Sequence, residues 1–231
     1  MSIAKITGSL LGKGIRGEPP IMPKFRNAAL LAVSLAAIAL FLTLDGREWN
    51  WLFLAAKLVP VASLLAWLSP PQGRYGRLVF AGLVLSLAGD AFLALPGDWF
   101  MPGLVAFLFA HLCYIAAFVG QRPRLELVRI LPFLAWIGGL YGYLFPDLGA
   151  MAVPVGVYSL VIGTMMWRAS ALVTRPVDRR QLTAALGALL FGLSDSTLAL
   201  MRFHGALPFG GVFLILAYWG GQAGIAASVK R

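Results

Sequence analysis

A single cysteine, Cys113, stands in the whole chain of 231 residues. No disulfide framework and no thiolate-based metal site can form from it. Only two histidines occur, His111 and His204, and there is no His-x-x-x-His or Cys-x-x-Cys pattern. Membrane-embedded zinc hydrolases need several such ligands, so a metal on Asp90, Asp195 and His111 is disfavoured and no cofactor is called for. A Gly-x-Ser-x-Gly elbow, a Walker loop and a dinucleotide fingerprint are also missing. Charge is scarce: 12% of residues are charged and only nine are acidic, where about a quarter is usual in a soluble domain.

What fills the chain is apolar. Hydrophobic residues make up 60% of it and the mean hydropathy is +0.83. This is the composition of an integral, multi-pass membrane protein. The net charge of +10 does not indicate nucleic acid, because the basic residues are scattered between apolar segments, as in cytoplasmic loops. No small-residue cleavage site follows the first apolar run, so a signal peptide is not expected.

Marking apolar runs long enough to cross a bilayer divides the chain into eight spans, at about 28–44, 50–69, 77–95, 99–120, 128–145, 149–169, 180–203 and 207–229. The expected fold is all-α, a single transmembrane bundle over 28–231 behind a basic tail over 1–27, since lipid leaves no partner for unpaired backbone groups. Span five is expected to stop before Pro146. Span six is weakened by Pro154 and glycines, so a re-entrant segment is the alternative there. Loop charges set the orientation. The tail, Arg74/Arg77, Arg122/Arg124/Arg129, Arg168/Arg175/Arg179/Arg180 and Lys230-Arg231 alternate with the acidic or nearly neutral loops holding Asp45/Arg47/Glu48, Asp98, Asp147 and Arg202/His204. Eight spans put every basic loop on one side, with both termini cytoplasmic, in a bacterial inner or cell membrane.

The feature most at odds with lipid is a carboxylate inside span three, in Ser86-Leu-Ala-Gly-Asp90-Ala-Phe-Leu-Ala-Leu95. It is echoed in span seven by Ser194-Asp195-Ser-Thr-Leu-Ala-Leu200. The two spans lie four apart and run the same way, which fits a parallel repeat of a four-helix unit. An ionisable group in hydrocarbon is expensive and marks function by default. At 1.5 Å per residue, Asp90 and Asp195 both come about 20 Å from the cytoplasmic end of their spans, and Lys57 in span two comes to a similar level. Two carboxylates on one cavity can divide labour, one as acid and one as base. Lys57 is an ion-pair partner or a phosphate ligand, with Pro60 loosening the helix beside it. Ser86, Ser194 and Ser196 are placed to hydrogen-bond the carboxylates or a substrate. His111 and Tyr114 share a stripe of span four, Tyr218 and Gln222 a face of span eight. Arg202 follows Asp195 by two turns and either meets an anionic head group or snorkels.

Lys57-Leu-Val-Pro60, Ser86-Leu-Ala-Gly-Asp90-Ala-Phe-Leu, Phe107-Leu-Phe-Ala-His111-Leu-Cys-Tyr114 and Ser194-Asp195-Ser-x-Leu-Ala, in this order and spacing, resemble the YhhN family of lysoplasmalogenases, from about Ala28 to the end. The resemblance implies a lysophospholipid substrate, hydrolysed at its vinyl-ether bond to a fatty aldehyde and glycerophosphoethanolamine or glycerophosphocholine. It implies catalysis by Asp90 and Asp195, with Lys57, His111 and Tyr114 in the pocket. Vinyl ethers yield to acid rather than base, so a positioned proton donor and a nearby anion suit the chemistry. A small-molecule or proton-coupled transporter is the rival reading, since buried Asp and Lys residues suit it too. A non-catalytic lipid-binding scaffold is the third. Oligomeric state is not legible in the sequence.

Overall fold

A computed structural model describes residues 22–44 and 51–230. The first 21 residues of the expected tail and the charges at Asp45, Arg47 and Glu48 lie outside this range. Every regular element among the described residues is helical. Eight long helices follow in order: α1 (Met22–Thr43), α2 (Trp51–Leu68), α3 (Gly73–Ala94), α4 (Phe100–Gln121), α5 (Leu131–Leu148), α6 (Ala152–Ala171), α7 (Arg179–Ala199) and α8 (Gly210–Ala227). Short 3-10 turns precede α5 and α6, and a π-helical turn, Leu200–His204, ends α7.

Among the described residues, seven helical segments are long and apolar enough to cross a membrane, and one of them, Leu127–Leu172, contains both α5 and α6. These two fold back on each other. Tyr141 Oη donates to the Ala152 carbonyl at 3.1 Å, Ile137 lies against Gly163, and Leu144 and Leu148 pack with Val155. α6 is therefore a full helix rather than a re-entrant segment. Pro154 sits in its first turn, where an N–H has no intrahelical partner to lose. α5 runs through Pro146 to Leu148 instead of stopping before it. The helix ends two residues later, so only the last turn bears the missing bond to Gly142.

Glycines set the tightest packing. A Cβ on Gly187 in α7 would lie 2.6 Å from the Ile225 nitrogen and 2.8 Å from the Gly221 carbonyl of α8, so these two backbones touch. Gly89 in α3 faces the Phe107 ring of α4, with 2.6 Å to a hypothetical Cβ. Small residues at such contacts are how helices associate where lipid competes equally for apolar side chains. The hairpins α3–α4 and α7–α8 carry the two aspartates.

Several basic residues expected in loops do more than face water. Arg129 Nη1 donates to the carbonyls of Ser170 (2.5 Å) and Val173 (2.9 Å), and Arg180 donates to those of Ser228 and Val229. These carbonyls lie at the C-terminal ends of α6 and α8, the place where a cation is favoured. Arg168 is a correction. It is inside α6 and buried, not in a loop. Its guanidinium donates to the carbonyls of Arg122 and Arg124, which supplies the hydrogen bonds a buried cation requires. At the start of α7, Asp178 and Gln181 form a reciprocal capping box.

Candidate active site

Asp90 lies on α3 and is 2% exposed. Tyr218 Oη of α8 donates to its Oδ2 at 2.5 Å. Lys57 Nζ of α2 stands 3.8 Å from its Oδ1 and donates to its backbone carbonyl at 3.3 Å. Pro60 cannot donate to the carbonyl of Ala56, which loosens α2 just where Lys57 turns inward. Asp90 thus has a cation and a phenol against it.

Asp195 lies on α7. The Tyr158 hydroxyl of α6 donates to its Oδ2 in a short hydrogen bond, and His111 Nε2 of α4 is 3.8 Å from the same oxygen. His111 is fully buried, and neither ring nitrogen has a hydrogen-bond partner. Its ring is wedged edge-on against Tyr158 and Phe191, at centroid distances of 5.3 and 4.7 Å. Phe191 and Phe107 also meet Tyr218 edge-on, at 5.3 and 5.8 Å. This aromatic block holds the two tyrosines that address the two carboxylates.

Both aspartates border one cavity of about 270 Å³, together with Lys57, Ser194, Arg202 and Tyr218. The level shared by Lys57, Asp90 and Asp195, expected from helix rise alone, is consistent with their common wall. At its mouth Arg202, carried by the π-helical turn, reaches Asp98 at 3.2 Å and lies 4.9 Å over the Phe100 ring. Such single-turn π segments recur at functional sites. Both partners of this pair are substantially exposed.

Three sequence-selected residues sit behind the cavity instead of on it. Tyr114 donates to Gln222 Oε1 at 2.7 Å, Ser86 is fully buried without a hydrogen bond to Asp90, and His111 stands behind Asp195. The serines beside Asp195 do not bond to it. Ser194 Oγ donates to the Leu214 carbonyl at 2.9 Å, tying α7 to α8. Ser196 Oγ donates to Gly192 and accepts from Trp136 Nε1 at 3.1 Å. Among the described residues no group of three His, Cys, Asp or Glu side chains converges on a metal position.

Tyr158 was not singled out from sequence. Its one signal is that a tyrosine inside an apolar run needs a partner for its hydroxyl. Asp98 and Phe100 were missed as partners of Arg202, because nothing local ties residues about a hundred positions apart. A second, apolar crevice between α4, α5, α6 and α7 also escaped notice. It shares Asp195, Phe100 and Phe107 with the polar cavity.

The YhhN family model matches residues 49–229, a stretch that holds all of these groups. Human "Lysoplasmalogenase TMEM86A" is 39% identical over 223 residues, covering 91% of this chain and 88% of that protein. Human "Lysoplasmalogenase TMEM86B" is 35% identical over 188 residues, covering 80% and 78%. A "Lysoplasmalogenase" of Mycobacterium tuberculosis is 34% identical over 142 residues, covering 58% and 52%. No solved structure matches the chain. With its helical bundle and two aspartates on one cavity inside the matched region, this integral multi-pass membrane protein belongs to the YhhN family.

Proposed function

We propose that the chain hydrolyses the vinyl-ether bond of lysoplasmalogens within the membrane, with Asp195 as proton donor and Asp90 as the stabilising anion. The observation that carries this is the unequal setting of two carboxylates on one cavity. Asp90 has the Lys57 ammonium beside it; Asp195 has the Tyr158 hydroxyl and the His111 imidazole, backed by the Phe191 ring. Environments that differ in this way assign acid and base within a pair.

The reaction then runs as follows. The Asp195 carboxyl proton adds to the alkene carbon β to the ether oxygen. The α carbon becomes an oxocarbenium, stabilised by the Asp90 carboxylate. Water from the cavity adds to that carbon and its proton passes to a carboxylate. The hemiacetal loses its hydroxyl proton, the bond to the glycerol oxygen breaks, and that oxygen takes a proton. Alkenyl ether plus water thus gives aldehyde plus glycerol hydroxyl, with both carboxyls returned to their starting state. Tyr158 and Tyr218 position the two side chains. Lys57 is engaged by Asp90, so the phosphate falls to Arg202, which exchanges its exposed Asp98 partner for it. The positive-inside pattern of the loops supports a non-cytoplasmic position for the Arg202 end of the cavity and cytoplasmic termini.

The relatives with matching sequence are named as hydrolases and not as carriers, which disfavours the transporter reading. Purified Asp195→Asn and Asp90→Asn proteins, assayed for aldehyde release from an alkenyl lysophospholipid, should each lose about 10²-fold or more in kcat, the usual worth of a positioned acid or base. Turnover within threefold of the parent in either variant would remove that residue from the chemistry.

A further inference from the structure

We infer that the apolar crevice behind Asp195, between α4, α5, α6 and α7, is the subsite for the alkenyl chain of the substrate. The inference rests on the proposed reaction for its substrate, but on a different part of the structure. Of the two carboxylates only Asp195 lies on the walls of both the polar cavity and the crevice. A lysoplasmalogen changes from polar to apolar at its vinyl ether. With glycerophosphate in the cavity and chain in the crevice, that bond comes to rest at Asp195 with no further turning of the lipid.

The crevice is built for methylene groups. Ile137 and Leu140 of α5 form one wall, Ile162 and Met166 of α6 the other, and Met166 lies directly on Gly192 at the floor. A larger apolar groove exists between α1, α2 and α8, about 480 Å³ against about 50 Å³ for the crevice, but neither aspartate lies on it, and the crevice must widen between α5 and α6 to take a long chain. Moving a chain from lipid into a protein crevice exchanges one apolar surface for another. Discrimination therefore comes from shape, and side chains that fill the crevice should penalise long chains specifically.

Two measurements test this on the full-length protein in detergent. The first uses a non-hydrolysable 1-O-alkyl lysophosphocholine with a mid-chain diazirine, followed by mass-spectrometric mapping of the adducts. Adducts should concentrate on α5 and α6 around Leu140 and Ile162. They should drop at least fivefold in Ser159→Phe, since Ser159 of α6 also lines the crevice. The second compares cleavage of short-chain and long-chain alkenyl lysolipids by Ser159→Phe and Leu140→Trp, which fill the crevice from opposite helices. The long-to-short ratio of kcat/KM should fall about tenfold in each folded variant. Adducts on α5 and α6 without any aldehyde release would uphold the subsite and sink the reaction. Aldehyde release with adducts confined to the α1–α2–α8 groove, or with unchanged chain ratios in both variants, would overturn the subsite and leave the reaction standing. Neither adducts nor release would overturn both.

Discussion

Removing the ammonium from Lys57 isolates the charge that distinguishes the two aspartates. Its Nζ stands 3.8 Å from Asp90 Oδ1, with both side chains well shielded. At an effective dielectric near 20, opposite charges at about that distance attract by about 4 kcal/mol. Tyr218 keeps its 2.5 Å hydrogen bond to Asp90 in the variant, and water in the cavity screens part of the lost attraction. About 3 to 4 kcal/mol then remains at stake, in line with the cost of breaking a buried pair by removing one partner. At about 1.4 kcal/mol per decade, Lys57→Met should lower kcat by roughly 10² to 10³. The assay is a mutant cycle on aldehyde release, with size-exclusion and thermal-melt controls for folding. In an Asp90→Asn background the same substitution should change kcat less than threefold, because the charge it served is gone. Independent, additive losses in the double variant would refute the pairing and make Lys57 a direct phosphate ligand. Wild-type turnover in Lys57→Met alone would refute the role of charge altogether.

Two further outcomes follow from the packing. Tyr218→Phe removes a hydrogen bond to a carboxylate, worth about 1.5 to 3 kcal/mol, and should cut kcat by about 10- to 100-fold in protein that still elutes as a single species; parent-like turnover would show that Tyr218 does not position Asp90. Gly187→Ala places a methyl group 2.6 Å from the backbone nitrogen of Ile225, so α7 and α8 must separate; the yield of monodisperse protein in detergent should collapse. Gly138→Ala, whose new methyl meets nothing within 4 Å, should leave that yield unchanged, and equal losses in the two would contradict the close-approach argument.

Much of the architecture was legible one helix at a time. Lipid forces each segment to satisfy its own backbone, and bilayer thickness sets its length, so the eight spans follow from local composition with ends displaced by a few residues. Pro146 and Pro154 misled because a proline breaks a helix only where its missing N–H matters. Asp90 and Asp195 announced themselves because a carboxylate in hydrocarbon carries a cost that composition reveals. The choice between Arg168 as loop charge and Arg168 as buried cap was not legible. It depends on carbonyls of Arg122 and Arg124, more than forty residues earlier.

The partners of the aspartates belong to tertiary structure alone. Lys57 on α2 and Tyr218 on α8 meet Asp90 on α3. Tyr158 on α6 and His111 on α4 meet Asp195 on α7, so each carboxylate is addressed by helices from both halves of the chain. By itself the sequence determined the elements, their lengths and the two misplaced charges, because those follow from a residue's own encounter with lipid. Only the fold decided which hydroxyl meets which carboxylate, that Asp90 faces a cation while Asp195 faces rings, and that a polar cavity and an apolar crevice meet at Asp195. Such distinctions depend on which helices are neighbours, and so on side chains from segments far apart in the chain, such as Asp90 and Tyr218.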